Sequence, residues 1–431
     1  MFDILMNKEQ KKVRDEIRSF VRDDIPPELL IKMDAKEIEY PNEFVKKAAK
    51  KNLLGLRFPK KYGGRELDWV TEMAACEEIG VLGLGLGCSY VMVSIVGEAL
   101  NKFGTEEQKE KYLAPIIKGE KISGEGLTEP RGGSDFFGTI STAVKNNDRF
   151  ILNGEKRFVA GGQGSDFFII YAKTDMKAKP HESITAFIVE RDDGVEVEEQ
   201  YEVLGFRGMG AARIVMKNVE IPVDRIVGEL NGGRHIFNAM MVPERLTSGA
   251  GAVGTGRAAM EVAIRYADKR EAFGFKIRTF QGISFKVCDA MTSLDAARGL
   301  LYRAARMADA AEIGAYITHK QLRKVISQAK LVATEAGYQA VYDAMQIIGG
   351  IAYTDVYPIE RLFRDARLST IWTGSSEVMK LIIQNEIFRE ILGEPKNLKR
   401  NIELDTPGAH KTVEKVYKGD LSKYLLINQK K

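Results

Sequence analysis

The stretch Ile348–Glu377, IGGIAYTDVYPIERLFRDARLSTIWTGSSE, decides how the rest of the chain reads, together with one acid far upstream, Glu244. Gly349 and Gly350 punctuate one end. At the other end Trp372, Thr373, Gly374, Ser375 and Glu377 fill a loop before a last helical run, Glu377–Ile391. Working outward, apolar residues three or four apart predict helices over Gly249–Lys269, Phe280–Asp309 and Thr318–Met345, with helical periodicity beginning at Ile236. Upstream of these lie short runs rich in β-branched and aromatic residues: Phe150–Leu152, Phe167–Tyr171, Thr185–Val189, Val195–Val197 and Ile214–Met216. Asn-Asp, Asn-Gly and Asp-Asp-Gly turn signals separate them, which predicts a small antiparallel β-domain. Before about Glu120 the spacing is helical again, over Asn7–Arg22, Pro41–Lys51, Trp69–Ile79 and Glu106–Ile117, with Asn52–Gly64 a connecting loop. The expectation is an α+β protein: an N-terminal helical domain (residues 1–121), a middle β-domain (122–234) and a C-terminal helical bundle (235–394). A lysine-rich extension (395–431) receives no function.

Composition narrows the class. A chain of 431 residues with 44% hydrophobic content buries a large core and divides into two or three domains. Its 64 Lys plus Arg and 60 Asp plus Glu nearly cancel and are dispersed, so no nucleic-acid or membrane patch is expected. Cys76, Cys88 and Cys288 lack CxxC spacing and read as structural thiols of a reduced compartment. His181, His235, His319 and His410 form no ligand cluster, so no metal site is expected. The N-terminal segment alternates charged and apolar residues without an uninterrupted apolar run. It is expected to be neither a secretion signal nor an anchor, which implies a cytoplasmic protein without a membrane span.

Three further stretches have the residue types that chemistry needs. Leu127–Asp135, LTEPRGGSD, offers hydroxyls and a Gly-containing turn whose amides can approach a polar heterocycle or a diphosphate. On its own it reads equally as an ordinary Pro-Gly turn. Asn153–Gly162, NGEKRFVAGG, carries Phe158, which alone reads more readily as a core aromatic than as a stacking platform. Arg270–Gln281, REAFGFKIRTFQ, carries a guanidinium whose fork of donors suits a diphosphate. Gly249–Gly254, GAGAVG, fits the dinucleotide pattern GxGxxG, but no strand precedes it and helical spacing continues through it. Close helix packing is the better reading.

In this order the four motifs resemble those of the acyl-CoA dehydrogenases, FAD flavoproteins that introduce an α,β double bond into acyl thioesters, over roughly Asn7 to Leu392. The resemblance implies a middle β-domain between an N-terminal helical domain and a C-terminal four-helix bundle. It implies FAD contacts from Leu127, Thr128 and Ser134, with Phe158 stacking on the flavin. Ala160 stands where a Thr or Ser is usual, which removes one hydrogen bond near flavin N5. Arg270, Phe273, Gln281, Gln346 and Gly350 would contact FAD of a neighbouring subunit, and Ser375 and Glu377 the cofactor from the final loop. FAD sites shared in this way make the protein a homo-oligomer, expected to be a tetramer.

Many members of the family carry the catalytic glutamate where this chain has Thr373, whose side chain cannot act as a base at neutral pH. Val242-Pro243-Glu244-Arg245 resembles the alternative site of the isovaleryl and long-chain branches, so Glu244, at the start of the helix that also carries Arg245, becomes the expected base. Its position alone reads more readily as an exposed acid in a first helical turn. The Thr373 N–H would contact the thioester oxygen, with Arg245 and Gly374 beside it on the substrate side. Val81–Asn101, expected to line the acyl pocket, has no Lys or Arg, which favours an uncharged acyl-CoA. Electrons would pass to an electron-transfer flavoprotein. An enoyl-CoA reductase or acyl-CoA oxidase on the same scaffold, a flavin enzyme of a non-thioester substrate, and a non-catalytic assembly protein remain the alternatives.

Overall fold

A reciprocal cap begins the first helix. The Asn7 side-chain oxygen accepts from the Gln10 amide at 2.9 Å, and Gln10 Oε1 accepts from the Asn7 amide at 2.8 Å. The computed structural model describes residues 3–393. Helix α1 (Lys8–Asp23) buries Val13, Ile17 and Phe20, which share one face at a period of 3.6. The helical segment continues through α2 (Pro27–Asp34), α3 (Asn42–Lys50), α4 (Trp69–Gly80) and α5 (Leu84–Phe103). It ends with α6 (Glu106–Gln108), a π-helical turn at Lys109–Leu113 and α7 (Ala114–Ile117). By length and composition α5 could cross a membrane, but it is largely buried inside the protein, packed against α4.

An eight-stranded sheet follows. Its strands are β1 (Ser123–Gly126), β2 (Thr142–Asn146), β3 (Arg149–Val159), β4 (Phe167–Lys173), β5 (Ile184–Glu190), β6 (Glu196–Gln200), β7 (Ala212–Pro222) and β8 (Ile226–Val227). The order across the sheet is β6-β7-β3-β2-β4-β5-β8, and β1 also pairs with β4. Four of the five β-branched and aromatic runs lie within strands, and the fifth, Val195–Val197, begins one residue before β6. The expectation of an antiparallel sheet needs correcting, because β4 pairs in parallel with both β1 and β2. No tight hairpin joins β1 to β4. The chain makes a long excursion through β2 and β3, so β4 can run in the direction of β1. Alternate residues of β4 face opposite sides. Phe167, Ile169 and Tyr171 join the helical core, while Phe168, Ile170 and Ala172 join a smaller core within the β-domain.

Helix α8 (Gly233–Lys269) is the spine of the C-terminal segment, and Pro243 lies inside it. Glu244 therefore sits mid-helix, correcting the expectation that it opens one. The helix starts after the turn at Gly232, and the proline, which sequence places naturally in a first turn, is accommodated within a buried helix. The GAGAVG segment is the close-packing stretch expected. A Cβ on Gly254 would stand 2.1 Å from the Glu77 carbonyl oxygen of α4. A short hairpin, β9 (Glu271–Ala272) and β10 (Phe275–Lys276), leads to α9 (Gln281–Glu312), α10 (His319–Ile348), α11 (Ile359–Ser369) and α12 (Ser376–Gly393). Helices α8 to α11 pack on one another as the bundle, and α4 packs against α8 and α9. The described residues up to Ile383 form one compact unit. A second begins at Gln384, and its described residues, 384–393, are the end of α12. The 395–431 extension lies outside the described residues.

Candidate functional site

Glu244 and Arg245 project from the buried middle of α8, with Glu244 only 8% exposed. The next turn of the helix is tied back by side chains. Thr247 Oγ1 donates to the Pro243 carbonyl at 2.7 Å and Ser248 Oγ to the Glu244 carbonyl at 2.6 Å. Ser248 also lies 3.2 Å, oxygen to oxygen, from the Thr373 hydroxyl. Because Ser248 is one turn after Glu244 on the same helical face, this contact docks the Thr373 loop against the Glu244 side of α8.

That loop has an unusual backbone. Thr373 (φ +52°) and Gly374 (φ +93°) are consecutive left-handed residues, a costly conformation for a β-branched side chain. Lys330 of α10, fully buried, holds it in place by donating to the Ser369 carbonyl at 2.8 Å and the Gly374 carbonyl at 2.9 Å. Burial, with Arg245 nearby, brings the Lys330 ammonium down to about 8. Arg245 is buried too. It donates to Ser327 Oγ at 3.3 Å, and burial lowers it to about 10. Among the described residues the Thr373 N–H donates to no backbone carbonyl, and Trp372 Nε1 is buried without a partner.

The surroundings of Glu244 include a residue that sequence reasoning missed. Glu125 of β1, also 8% exposed, is a close neighbour of the Glu244 carboxyl group. Burial, and then the neighbouring Glu244 charge, push Glu125 well above the usual carboxylate range. Burial raises Glu244 as well, against the opposing pull of the Glu125 hydrogen bond and of the Arg245 and Lys330 charges. A narrow cleft beside the pair is lined by Cys88, Tyr90 and Val91 of α5, Thr247 and Ser248 of α8, and Trp372.

The first two sequence motifs meet on β3. Glu129 accepts from Lys156 Nζ at 2.6 Å, from the amides of Ile140 at 2.5 Å and Ser141 at 3.1 Å, and from the Thr139 hydroxyl. The Thr128 carbonyl accepts from the Arg157 amide at 2.7 Å. These bonds clamp the Leu127–Asp135 turn onto β3, where Phe158 (φ +54°) is 60% exposed and stacks on Tyr201 at 4.7 Å between ring centroids. Ala160 and Leu127 are half-buried. Ser134 lines a cavity of about 230 Å³ together with Phe137, Phe237, Val242, Arg245 and Arg323, so the turn and α8 share one channel.

Arg270 and Gly350 line a separate cavity of about 550 Å³ with Tyr266, Ile277, Ile351 and Tyr357. Phe273 is 91% exposed, and Gln281 and Gln346 are exposed as well. Ser375 is half-buried and Glu377 exposed at the start of α12. The residues present fit FAD: an exposed aromatic face at Phe158, an orphaned buried donor at Trp372 and a cavity carrying a guanidinium at Arg270 suit a flat polar ring with an anionic tail.

Lys330, Glu129 and Lys156 also escaped the sequence reading as functional groups, although Glu129 and Lys156 stood inside quoted motifs. An acid and a lysine at fixed places in two motifs that meet in space was the available signal. For Glu125, flanked by glycines, the sequence offered none.

The family models for the acyl-CoA dehydrogenase N-terminal, middle and C-terminal domains match residues 7–120, 124–219 and 231–388. The 3-(aryl)acrylate reductase of Clostridium sporogenes is 37% identical, with 90% of this chain and 100% of that protein aligned. A caffeyl-CoA reductase–Etf complex subunit of Acetobacterium woodii is 35% identical, with 89% of this chain and 99% of that protein aligned. The solved structure of butyryl-CoA dehydrogenase from Megasphaera elsdenii superposes with a TM-score of 0.83 at 30% identity, covering 89% of this chain and 99% of that one. Three domains in order, on a fold that places a buried glutamate beside the Thr373 loop, put this chain in the acyl-CoA dehydrogenase family of flavoprotein oxidoreductases.

Proposed function

We propose that the protein interconverts an uncharged acyl-CoA and its trans-2-enoyl-CoA, with Glu244 moving the α-proton. The observation that carries this reading is a buried carboxyl group on the face of α8 that meets the Thr373 loop, at a site where Thr373 itself offers no base. Bound FAD would supply the hydride acceptor, at flavin N5, for the substrate's β-carbon. The chain's own share is fourfold. Glu244 takes the α-proton, and the Thr373 N–H, held by its left-handed backbone and by Lys330 on the next carbonyl, is offered to the thioester oxygen. A hydrogen bond to the developing oxyanion is typically worth about 3 kcal/mol of barrier. The buried walls of α5 and α8 exclude water, and the absence of Lys and Arg from Val81–Asn101 leaves nothing to pair with an acyl charge.

Thr128, Ser134, Phe158 and Ser375 would hold FAD from one subunit, and Arg270, Phe273, Gln281, Gln346 and Gly350 from its neighbour. The exposed aromatics Phe273, Phe275 and Tyr353 support a homo-oligomer, since a monomer would leave them in water. An electron-transfer flavoprotein as partner is supported by the relative described as an Etf-complex subunit.

A second reading reverses the direction. Two of the relatives are named as reductases, and burial raises Glu244 above its ordinary value, the direction that suits an acid that protonates the α-carbon of an enoyl-CoA. Anaerobic titration with a panel of acyl-CoAs tests the first reading. Flavin bleaching is expected in the wild type and lost in Glu244→Gln with the yellow colour retained, whereas undiminished bleaching in that variant would refute the assignment. Turnover of enoyl-CoA with reduced electron-transfer flavoprotein, faster than acyl-CoA oxidation, would establish the second.

A further inference from the structure

The chain carries a second buried acid at the same place, and nothing in the reaction as described uses it. Strand β1 is Ser-Gly-Glu-Gly, and its two glycines face the β-domain core. A Cβ on Gly124 would stand 2.9 Å from Phe168, and one on Gly126 2.5 Å from Ile170. Glu125, registered with Ile169 in the parallel pairing, is therefore turned to the opposite face, where the sheet meets the helices. Glu244 of α8 meets it there.

The other titratable groups at this point are few: Cys88 of α5, Tyr171 of β4, and Arg245 and Lys330 of the bundle helices. None of them neutralises Glu125. Tyr171 Oη donates to Met240 Sδ at 2.9 Å, Arg245 bonds Ser327, and Lys330 is committed to two backbone carbonyls. Among the described residues neither acid forms an ion pair, and Glu125 Oε1 is buried without any partner.

We propose that Glu125 is a positioning residue for Glu244: a neutral carboxyl group whose O–H donates to the Glu244 carboxylate, so that the two acids share one proton and one negative charge. This rests on the reading of Glu244 as the group that moves the α-proton. The Arg245 and Lys330 cations favour an ionised Glu244, while Glu125 has only burial and another acid beside it, so of the two carboxyl groups Glu125 is the one that keeps its proton. The proton Glu125 keeps serves two ends. It stabilises the ionised form of Glu244 in a site that would otherwise neutralise it. It also fixes which Glu244 oxygen is free to face the substrate.

The decisive test compares two substitutions in the holoenzyme, because an amide imitates a neutral carboxyl group as a donor and an alkyl group does not. The rate of anaerobic flavin bleaching by acyl-CoA is followed against pH. Glu125→Gln should leave the acid limb of the profile where the wild type has it, whatever its effect on the maximal rate. Glu125→Leu should move that limb up by about one to two pH units, the size expected on losing a hydrogen bond to a charged group.

Infrared spectra of the same holoenzymes give a reading that needs no turnover. A protonated-carboxyl band at neutral pH should be present in the wild type and in Glu244→Gln, and absent in Glu125→Gln. Absence of that band from the wild type overturns the proposal, as does a Glu125→Leu profile that coincides with the wild type's, or a Glu125→Gln limb displaced as far as that of Glu125→Leu. If Glu125→Leu does not fold, the wild-type and Glu125→Gln spectra decide. Should Glu244→Gln bleach normally, the base assignment fails on that variant alone, while the band still reports whether the two acids share a proton.

Discussion

Glu125 and Glu129 are buried glutamates four residues apart, and their surroundings push them in opposite directions. Burial disfavours the charge on both. At Glu129 the Lys156 ammonium and the Ile140 amide outweigh burial, and the carboxylate is held down to about 2. At Glu125 the nearest polar neighbour is another acid, so burial and Glu244 act together and the group is held well above its ordinary value. The contrast separates two uses of a buried acid. Glu129 is a clamp: its charge is fully compensated, and it joins two motifs into one rigid piece. Glu125 is left uncompensated, an arrangement with no structural benefit that is typical of sites where a proton is handled.

The largest expected effects come from replacing Glu244, the neighbour of Glu125, and Glu129 itself. Glu244→Gln should lower the rate of flavin bleaching by about 10²–10⁴-fold, the usual contribution of a positioned base, while leaving the thermal midpoint at neutral pH unchanged or higher. Glu129→Gln should do the reverse. It strands the buried Lys156 ammonium, at a cost of about 3–5 kcal/mol in stability read from denaturant unfolding, and its loss of activity should follow loss of flavin. Equal destabilisation by both substitutions would erase the distinction between clamp and site.

A smaller effect sharpens the comparison through pH. Glu125 has a folded pKa above its unfolded one, so the folded protein retains a proton that the unfolded chain releases. Its contribution is present below the unfolded value of about 4.3 and is lost as pH rises toward the folded value, at about 1.4 kcal/mol per pH unit. Glu129 behaves oppositely: its contribution is present above the unfolded value and is lost as pH falls through about 2. Between pH 5 and 8, roughly the window in which one such proton matters, unfolding midpoints of Glu125→Gln should decline less steeply than those of the wild type. A parallel decline would mean that Glu125 is ionised in the folded protein.

Much of this was readable in advance, and the gaps have physical causes. The helices α1, α3 and α4 announced themselves by spacing, and β3 to β7 by β-branched and aromatic residues. Strand β1 has neither property. Ser-Gly-Glu-Gly becomes a strand because β4 offers it an edge, a tertiary effect that propensity does not see. Glu125 was hidden with it. Glu244 emerged from sequence only through an absence, the missing carboxylate at Thr373. Its place in mid-helix was obscured by Pro243, which reads as a helix start. The left-handed backbone of Thr373 had no sequence signature, since Thr is a poor candidate for it.

That backbone gives the smallest and sharpest prediction. Thr373, like Glu125, carries a local cost tolerated beside the reacting groups: a φ of +52° costs a β-branched residue about 1–2 kcal/mol. Lys330 on the Gly374 carbonyl and the Ser248–Thr373 contact keep it there. Replacing Thr373 by Ala or by Gly removes the same hydroxyl contact, but only Gly relieves the strain, while Gly alone adds about 0.5–1 kcal/mol of unfolded-state entropy. In an ordinary loop the second term wins and Ala is the more stable. Here the two nearly balance, with the strain slightly larger. Thr373→Gly should therefore unfold at or just above the midpoint of Thr373→Ala, and its greater freedom should slow bleaching further because the Thr373 N–H is no longer held in one direction. If Ala proved clearly more stable, the loop would be adaptable rather than held, and Thr373 would belong with the clamp and not with the site.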